Sequence, residues 1–276
     1  MTLESKHHSE TPNEAPATGF NPWRDVVLVI TFLTRLPLPL SGHAARPLAS
    51  AAWAFPFAGV LTGGVGGGIF LGAVFLGLPL VISLILGLMA SVLLSGGLHE
   101  DGLADVADGF GGGSTRDQKL EIMHDSRIGA YGVLALIFIV SLRITALFAI
   151  GAQSSTQIVF VVFLTSAIFS RGILPAVMAA LPPTRVGGLS KEAGRPGVGG
   201  VIVAFLLGVA GALVPFCSDY QPVTIAMLSA VGAVIILGLI ARRQIGGQTG
   251  DVIGAAQQIG ETAFLVALSV AIGGNL

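Results

Sequence analysis

Runs of roughly twenty residues almost free of charge recur along this chain, at about 53 to 77, 79 to 98, 131 to 151, 157 to 180, 199 to 217 and 222 to 240. In hydrocarbon a backbone must satisfy its own hydrogen bonds, and a helix needs about 20 apolar residues to cross. The chain therefore reads as all-α, a polytopic transmembrane helix bundle with six spans. Two further segments would bring the membrane helices to seven or eight. The run from Val26 to Leu40 is interrupted by Arg35, Pro37 and Pro39 and reads as a partly inserted or interfacial helix. The run from Thr262 to Leu276 is short, and is either a last crossing or a helix packed on the bundle. Composition agrees: 53% hydrophobic and 11% charged residues, with a mean hydropathy of +0.85, lie outside the soluble class.

A formal net charge of −1 gives no bulk attraction to nucleic acid, so no nucleic-acid partner is expected; the lipid bilayer is. The lone Cys217 excludes an intramolecular disulfide and a cysteine-based zinc cluster. Residues 1 to 20 are polar, lack a signal-peptide core and read as a disordered cytosolic tail, leaving 21 to 276 as one integral-membrane domain. Basic residues alternate between connections. Arg46, then Arg116, Lys119 and Arg127, then Arg185, Lys191 and Arg195, then Arg242 and Arg243 mark the loops of one side. By the positive-inside rule that side is cytoplasmic, so the chemistry faces the cytoplasm; the membrane expected is a bacterial-type inner membrane.

The acids are not spread evenly. Seven of fifteen fall between Glu100 and Asp125, and HEDGLADVADGFGGG (His99 to Gly113) sets Asp101, Asp105 and Asp108 on one helical face at i, i+4 and i+7. Carboxylate oxygens in such a cluster suit Mg²⁺ or Mn²⁺, and magnesium usually binds a few carboxylates together with substrate phosphates. Asp101, Asp105, Asp108 and Asp125 are the candidate ligands. The plainer alternative is a solvated acidic loop neutralised by Arg116, Lys119 and Arg127. Gly111 to Gly113 end the helix or let backbone N–H groups approach a phosphate. Thr115 and Gln118 make a capping-box pattern for a short second helix reaching about Asp125. By contrast GGVGGG (Gly63 to Gly68) lies inside an apolar span, where small residues serve close helix approach rather than nucleotide binding.

RRQIGGQTGDVIGA (Arg242 to Ala255) supplies a second cluster: arginines, paired glycines, the Thr249 hydroxyl and the lone Asp251. It reads as a second wall of the site or as a basic membrane-flanking turn. Glu261 reads equally as a helix-start charge. Arg143 and Arg171 are costly in lipid and should face the bundle interior or a wet cavity, Arg171 within reach of phosphate. His99, beside the carboxylates, is a candidate proton acceptor or a structural histidine. Aspartates with arginines at a membrane surface suggest metal-assisted phosphoryl transfer.

At these residues the chain resembles the cobalamin synthase family, the adenosylcobinamide-GDP ribazoletransferases. The resemblance rests on TRLPLP (Thr34 to Pro39), GGLHEDGLADVADG (Gly96 to Gly109), LEIMHDSRIGAYG (Leu120 to Gly132), Ser170 with Arg171, and GGQTGDVIGA (Gly246 to Ala255), in order across nearly the whole chain. The tail to about Phe20 lies outside it. The resemblance implies a late step of cobalamin biosynthesis. A ribose hydroxyl of α-ribazole, or of its 5′-phosphate, attacks the phosphorus attached to cobinamide in adenosylcobinamide-GDP, and GMP leaves. It further implies Mg²⁺ on Asp101, Asp105, Asp108 and Asp125, with Arg127 and Arg171 on phosphate. Arg116, Arg243 and Thr249 are added as substrate contacts. The base is Asp108, His99 or Asp251, and Asp251 could instead be a further metal ligand. A homo-oligomer or a pathway complex is compatible with it.

The carboxylate spacing is also similar to the CDP-alcohol phosphotransferases, but the Ala-Arg pair and the longer gap of that motif are missing. Two rivals remain. A membrane prenyltransferase should carry a second aspartate-rich motif, and here the second cluster has only Asp251. An ion transporter should carry mid-membrane charges in two corresponding halves.

Overall fold

The computed structural model describes residues 21–39, 47–184 and 194–273. The expected tail and three of the marker residues, Arg46, Arg185 and Lys191, lie outside the described residues. The architecture is helical throughout. In chain order the helices are α1 (Pro22–Leu33), α2 (Phe55–Phe75, entered through a 3-10 turn at Leu48–Ala54), α3 (Leu80–Ser95), α4 (Leu98–Gly112), α5 (Arg116–Ile122), α6 (Ala130–Gln153), α7 (Thr156–Gly172), α8 (Leu174–Ala180), α9 (Val198–Leu213), α10 (Gln221–Ile245) and α11 (Gly250–Ile272).

Among the described residues six helical stretches are long and apolar enough to cross a membrane: Leu48–Phe75, Ala130–Gln153, Thr156–Ala180, Val198–Phe216, Gln221–Ile245 and Gly250–Ile272. The protein is a multi-pass membrane protein. Large apolar side chains such as Phe75, Leu93, Phe138 and Leu228 lie on the outside of the bundle, as a lipid-facing surface requires.

The number of spans agrees with the sequence reading, but the set differs. The run at 79 to 98 is not a straight crossing by itself: with α4 it makes a bent pair, a broken span or a re-entrant loop. α3 has 16 residues, about 24 Å of helix against about 30 Å of hydrocarbon. The chain then bends by 87° into α4. The break is Gly96–Gly97, both with positive φ (67° and 69°), a conformation open to glycine at little cost. The last span, conversely, starts well before its apolar run suggested, at Gly250 rather than Thr262. α1, at 12 residues, is too short to cross and ends at Thr34, just before the turn at Leu36 to Leu38.

α2 and α7 form the tightest pair. A Cβ on Gly59 would fall 2.6 Å from the Ile168 Cα, and one on Gly63 2.5 Å from the Phe163 carbonyl oxygen. Small residues four apart let the two backbones meet, as membrane helices without a hydrophobic drive between them require. Around this pair, α11 packs against α4, α6, α7 and α10, and so lies at the centre of the bundle.

Candidate active site

α4 is the element the acidic motif builds. It is not a solvated loop: His99, Gly102, Leu103, Ala104, Val106 and Asp108 are buried as it lies across α11 and α6. Gly102 rests on the first turn of α11, where its Cβ would meet the Asp251 carbonyl oxygen at 2.8 Å. The two motif segments, far apart in the chain, thus share one wall.

The segment around Gly246 is held from three sides. Gln248 N–H donates to the Pro182 carbonyl at 2.9 Å, and Thr184 N–H donates to the Gln248 carbonyl at 3.1 Å. The Arg116 guanidinium donates to the carbonyls of Ile245 (3.0 Å) and Thr184 (2.9 Å). The Lys119 ammonium donates to the Gln244 side chain. The described parts of the three basic loops therefore meet at one end of the bundle.

Two cavities open there. One of about 190 Å³ is walled by His99, Asp101, Gly250 and Asp251 together with apolar side chains including Leu33 and Met178. A larger one of about 830 Å³ is lined by Arg35, Ser95, Gly96, Gly97 and Asp101, among others. Phe32, Leu98 and Asp101 belong to both, so Asp101 stands at their junction.

The carboxylates do not all come together. Asp101 faces the cavities and Asp105 is half-buried one turn on. Asp108 points elsewhere, and its carboxylate accepts the backbone N–H groups of Gly129 (2.7 Å) and Gly132 (2.9 Å). α6 begins at Gly129 with no side-chain cap of its own. Asp108 therefore supplies the cap from a different helix, satisfying orphan donors and favouring the positive end of the dipole. One helical face is not one point, since seven residues separate Asp101 and Asp108 by about 10 Å along the axis.

Asp125 is committed as well, to the Arg127 side chain at 2.5 to 3.1 Å and to the Arg127 backbone N–H at 3.0 Å. The Arg127 hydrogen bonds hold its carboxyl down at about 2. Among the described residues no three His, Cys, Asp or Glu side chains are grouped so as to hold a metal ion by themselves. The expected four-aspartate ligand set is thus not assembled. A narrower set still fits magnesium: Asp101 at the junction, with Asp105 on the same face and Asp251 in the same cavity. Mg²⁺ needs only one or two carboxylates when phosphate and water complete its shell.

Other expected contacts also move. Thr249 is the N-cap of α11; its hydroxyl accepts from Val252 N–H at 3.3 Å and donates to Asp251 Oδ2 at 3.1 Å, which holds that carboxylate in place. Arg116 is the strap described above. Arg243 is exposed on the last turn of α10 and lines neither cavity. α4 ends at Gly112 with Gly113 as its C-cap, in line with the helix-stop reading, and Gly111 and Gly113 pack on the Tyr131 ring and on Lys119.

Arg171 is enclosed within the bundle, away from both cavities, in a polar core that sequence reasoning missed. Arg143 of α6 meets Glu261 of α11 at 2.7 Å and Glu100 of α4 at 4.0 Å; Arg171 of α7 lies 3.8 Å from Glu261. The Gln258 amide donates to Glu100 (2.8 Å) and to Gln257 (2.9 Å), and the Gln257 amide donates to Ser170 (3.1 Å) and to Glu261. Glu261 is therefore mid-helix and paired rather than a helix-start charge. A cavity of about 10 Å³ among these groups has roughly the room one water needs. Part of the signal was available: Arg143 and Arg171, alone in otherwise apolar spans, have to find acidic partners.

The family profile described as Cobalamin-5-phosphate synthase matches residues 25–269. Three similar proteins carry the name adenosylcobinamide-GDP ribazoletransferase. That of Mesorhizobium japonicum is 44% identical over 255 residues, 90% of this chain and 93% of the relative. That of Azorhizobium caulinodans is 40% identical, covering 89% and 95%, and that of Bradyrhizobium diazoefficiens 42% identical, covering 88% and 92%. No solved structure matches the chain.

Proposed function

The chain belongs to the cobalamin-5-phosphate synthase family, and from that premise we infer how its two cavities serve the transfer. The protein is an adenosylcobinamide-GDP ribazoletransferase of cobalamin biosynthesis, joining the adenosylcobinamide phosphate moiety to ribazole. The observation that carries the site is Asp101, at the junction of a small, mostly apolar cavity and a larger, more polar one. The small cavity suits the apolar base and ribose of α-ribazole or its 5′-phosphate. The large one takes the diphosphate end of adenosylcobinamide-GDP. The reacting phosphorus then lies near Asp101.

In this reading Asp101 and Asp105 would hold Mg²⁺. Bound there, it would neutralise phosphate charge and polarise the phosphoryl oxygens. Asp251, steadied by the Thr249 hydroxyl, accepts the proton of the attacking ribose hydroxyl. The new O–P bond forms as the P–O bond to GMP breaks, and the electron pair leaves on the GMP phosphate. His99, whose Nδ1 has no hydrogen-bond partner among the described residues, offers the ribazole cavity one polar atom amid apolar walls. Its burial limits it to orienting the nucleoside. Asp108 is dropped as a base because both its oxygens serve α6.

The clustering of Arg116, Lys119, Arg195, Arg242 and Arg243 toward the site's end favours a cytoplasmic face in the inner membrane. Purified protein supplied with adenosylcobinamide-GDP, Mg²⁺ and α-ribazole should form GMP and coupled corrinoid in equal amounts. GMP formed equally fast without ribazole would point to hydrolysis instead of transfer.

A further inference from the structure

We propose that, among the described residues, Arg35 is an arginine that binds the diphosphate of the substrate, an assignment that rests on the transferase reading above. Five other described arginines already have protein partners. Arg116 holds two carbonyls, Arg127 holds Asp125, and Arg143 and Arg171 lie in the polar core. Arg195 donates to the Ala179 carbonyl. Arg24, Arg242 and Arg243 line neither cavity. Arg35 lines the larger cavity together with Asp101, and its guanidinium has no hydrogen-bond or ion-pair partner among the described residues.

Its placement is built rather than incidental. The Arg35 backbone N–H donates to the Leu94 carbonyl at 2.7 Å, which fixes the residue against the end of α3. Its side chain lies over Gly96, where a Cβ would overlap Nε and come within 2.9 Å of Cδ and Cγ. Gly96 is thus required twice, by its positive φ of 67° and by the space Arg35 occupies. The first turn of α4 opens into the same cavity through Gly97 and Leu98, and the orphan N–H groups of a helix start favour an anion. A planar guanidinium, a helix N-terminus and a carboxylate able to hold a cation line one cavity, and together they bracket a phosphate-sized anion. As the P–O bond to GMP breaks, Arg35 is placed to hold the charge that accumulates on the departing phosphate.

The test is steady-state kinetics of detergent-purified wild type, Arg35→Lys, Arg35→Gln and Gly96→Ala, each substrate varied in turn, with thermal midpoints recorded. Arg35→Gln should raise KM for adenosylcobinamide-GDP roughly 10- to 100-fold, the loss expected for a charged hydrogen bond. It should leave KM for α-ribazole and the thermal midpoint unchanged. Arg35→Lys should recover part of the loss, and Gly96→Ala should reproduce it by displacing the guanidinium. Wild-type kinetics in Arg35→Gln, or equal changes in both KM values with a lowered midpoint, would overturn the assignment while leaving the transferase intact. Should the wild type itself release no GMP, the transferase reading fails, and equilibrium binding of GDP decides Arg35 separately. Binding lost in Arg35→Gln supports the anion site, and equal binding removes it.

Discussion

Gly102 of α4 and Asp251 of α11 meet backbone to backbone: a Cβ on Gly102 would lie 2.8 Å from the Asp251 carbonyl oxygen and 3.0 Å from its Cα. This contact brings the two motif segments into a single cavity. Nothing flexible stands opposite Gly102, so a methyl group there must push the helices apart.

Gly102→Ala should therefore lower turnover at least about tenfold and cost about 1–3 kcal/mol in stability, the usual scale for overpacking. GMP release and the thermal midpoint in detergent measure the two effects. An alanine variant with wild-type activity would show that the α4 to α11 spacing does not matter.

The polar core predicts a pattern rather than a single loss. Breaking one partner of a buried ion pair costs about 3–5 kcal/mol, because the other charge is left without compensation. Glu261→Gln and Arg143→Met should each reach that scale. The double variant should be less damaged than the two singles summed. Chemical or thermal unfolding in detergent reads this cycle, and strict additivity would mean the 2.7 Å contact carries no coupling.

Asp108 and Asp101 should separate by phenotype. Asparagine at 108 can accept only one of the two backbone N–H groups well, so Asp108→Asn should lose about 1–3 kcal/mol of stability without changing the Mg²⁺ concentration needed for half-maximal rate. Asp101→Asn should do the reverse. A raised Mg²⁺ requirement in Asp108→Asn would return Asp108 to the ligand set.

For Asp125 the sign of the linkage is definite. Its carboxyl is lowered from 3.8 to about 2 by the Arg127 hydrogen bonds, so the pair's contribution is present above 3.8 and is lost only as pH falls through about 2. Between about pH 5 and 8, where folded proteins tend to be most stable, the pair does not titrate. The acid limb of kcat/KM should stay in place in Asp125→Asn; a shifted limb would show that Asp125 ionises within the working range.

Much of the fold is readable from residues alone. Apolar length located five of the spans, Thr115 and Gln118 form the reciprocal cap their spacing implied, and the Gly59 and Gly63 contacts match close helix approach. Two boundaries were misread for physical reasons. The Gly96–Gly97 break lies at the end of an apolar run, where hydropathy is blind to backbone conformation. Gln257, Gln258 and Glu261 lowered the apparent hydropathy of α11, although pairing with Arg143 and Arg171 allows the helix to run straight through them. The site showed a similar division. Periodicity put the aspartates on one face, but only coordinates reveal that Asp108 caps α6 and that Asp125 is held by Arg127. Arg35 had looked like an interruption of an apolar run, because nothing in sequence places it over Gly96 and in one cavity with Asp101.

Asp101 at the cavity junction and Asp251 in the small cavity divide the labour in the proposed mechanism, the first serving the metal and the second the proton. The most direct measurement is GMP release as a function of Mg²⁺ concentration for wild type, Asp101→Asn and Asp251→Asn at saturating substrates. Asp101→Asn should need at least about tenfold more Mg²⁺, whereas Asp251→Asn should keep the wild-type Mg²⁺ midpoint and lose about 10²- to 10⁴-fold in rate. Identical Mg²⁺ midpoints for all three proteins, with Asp251→Asn near full activity, would contradict that division.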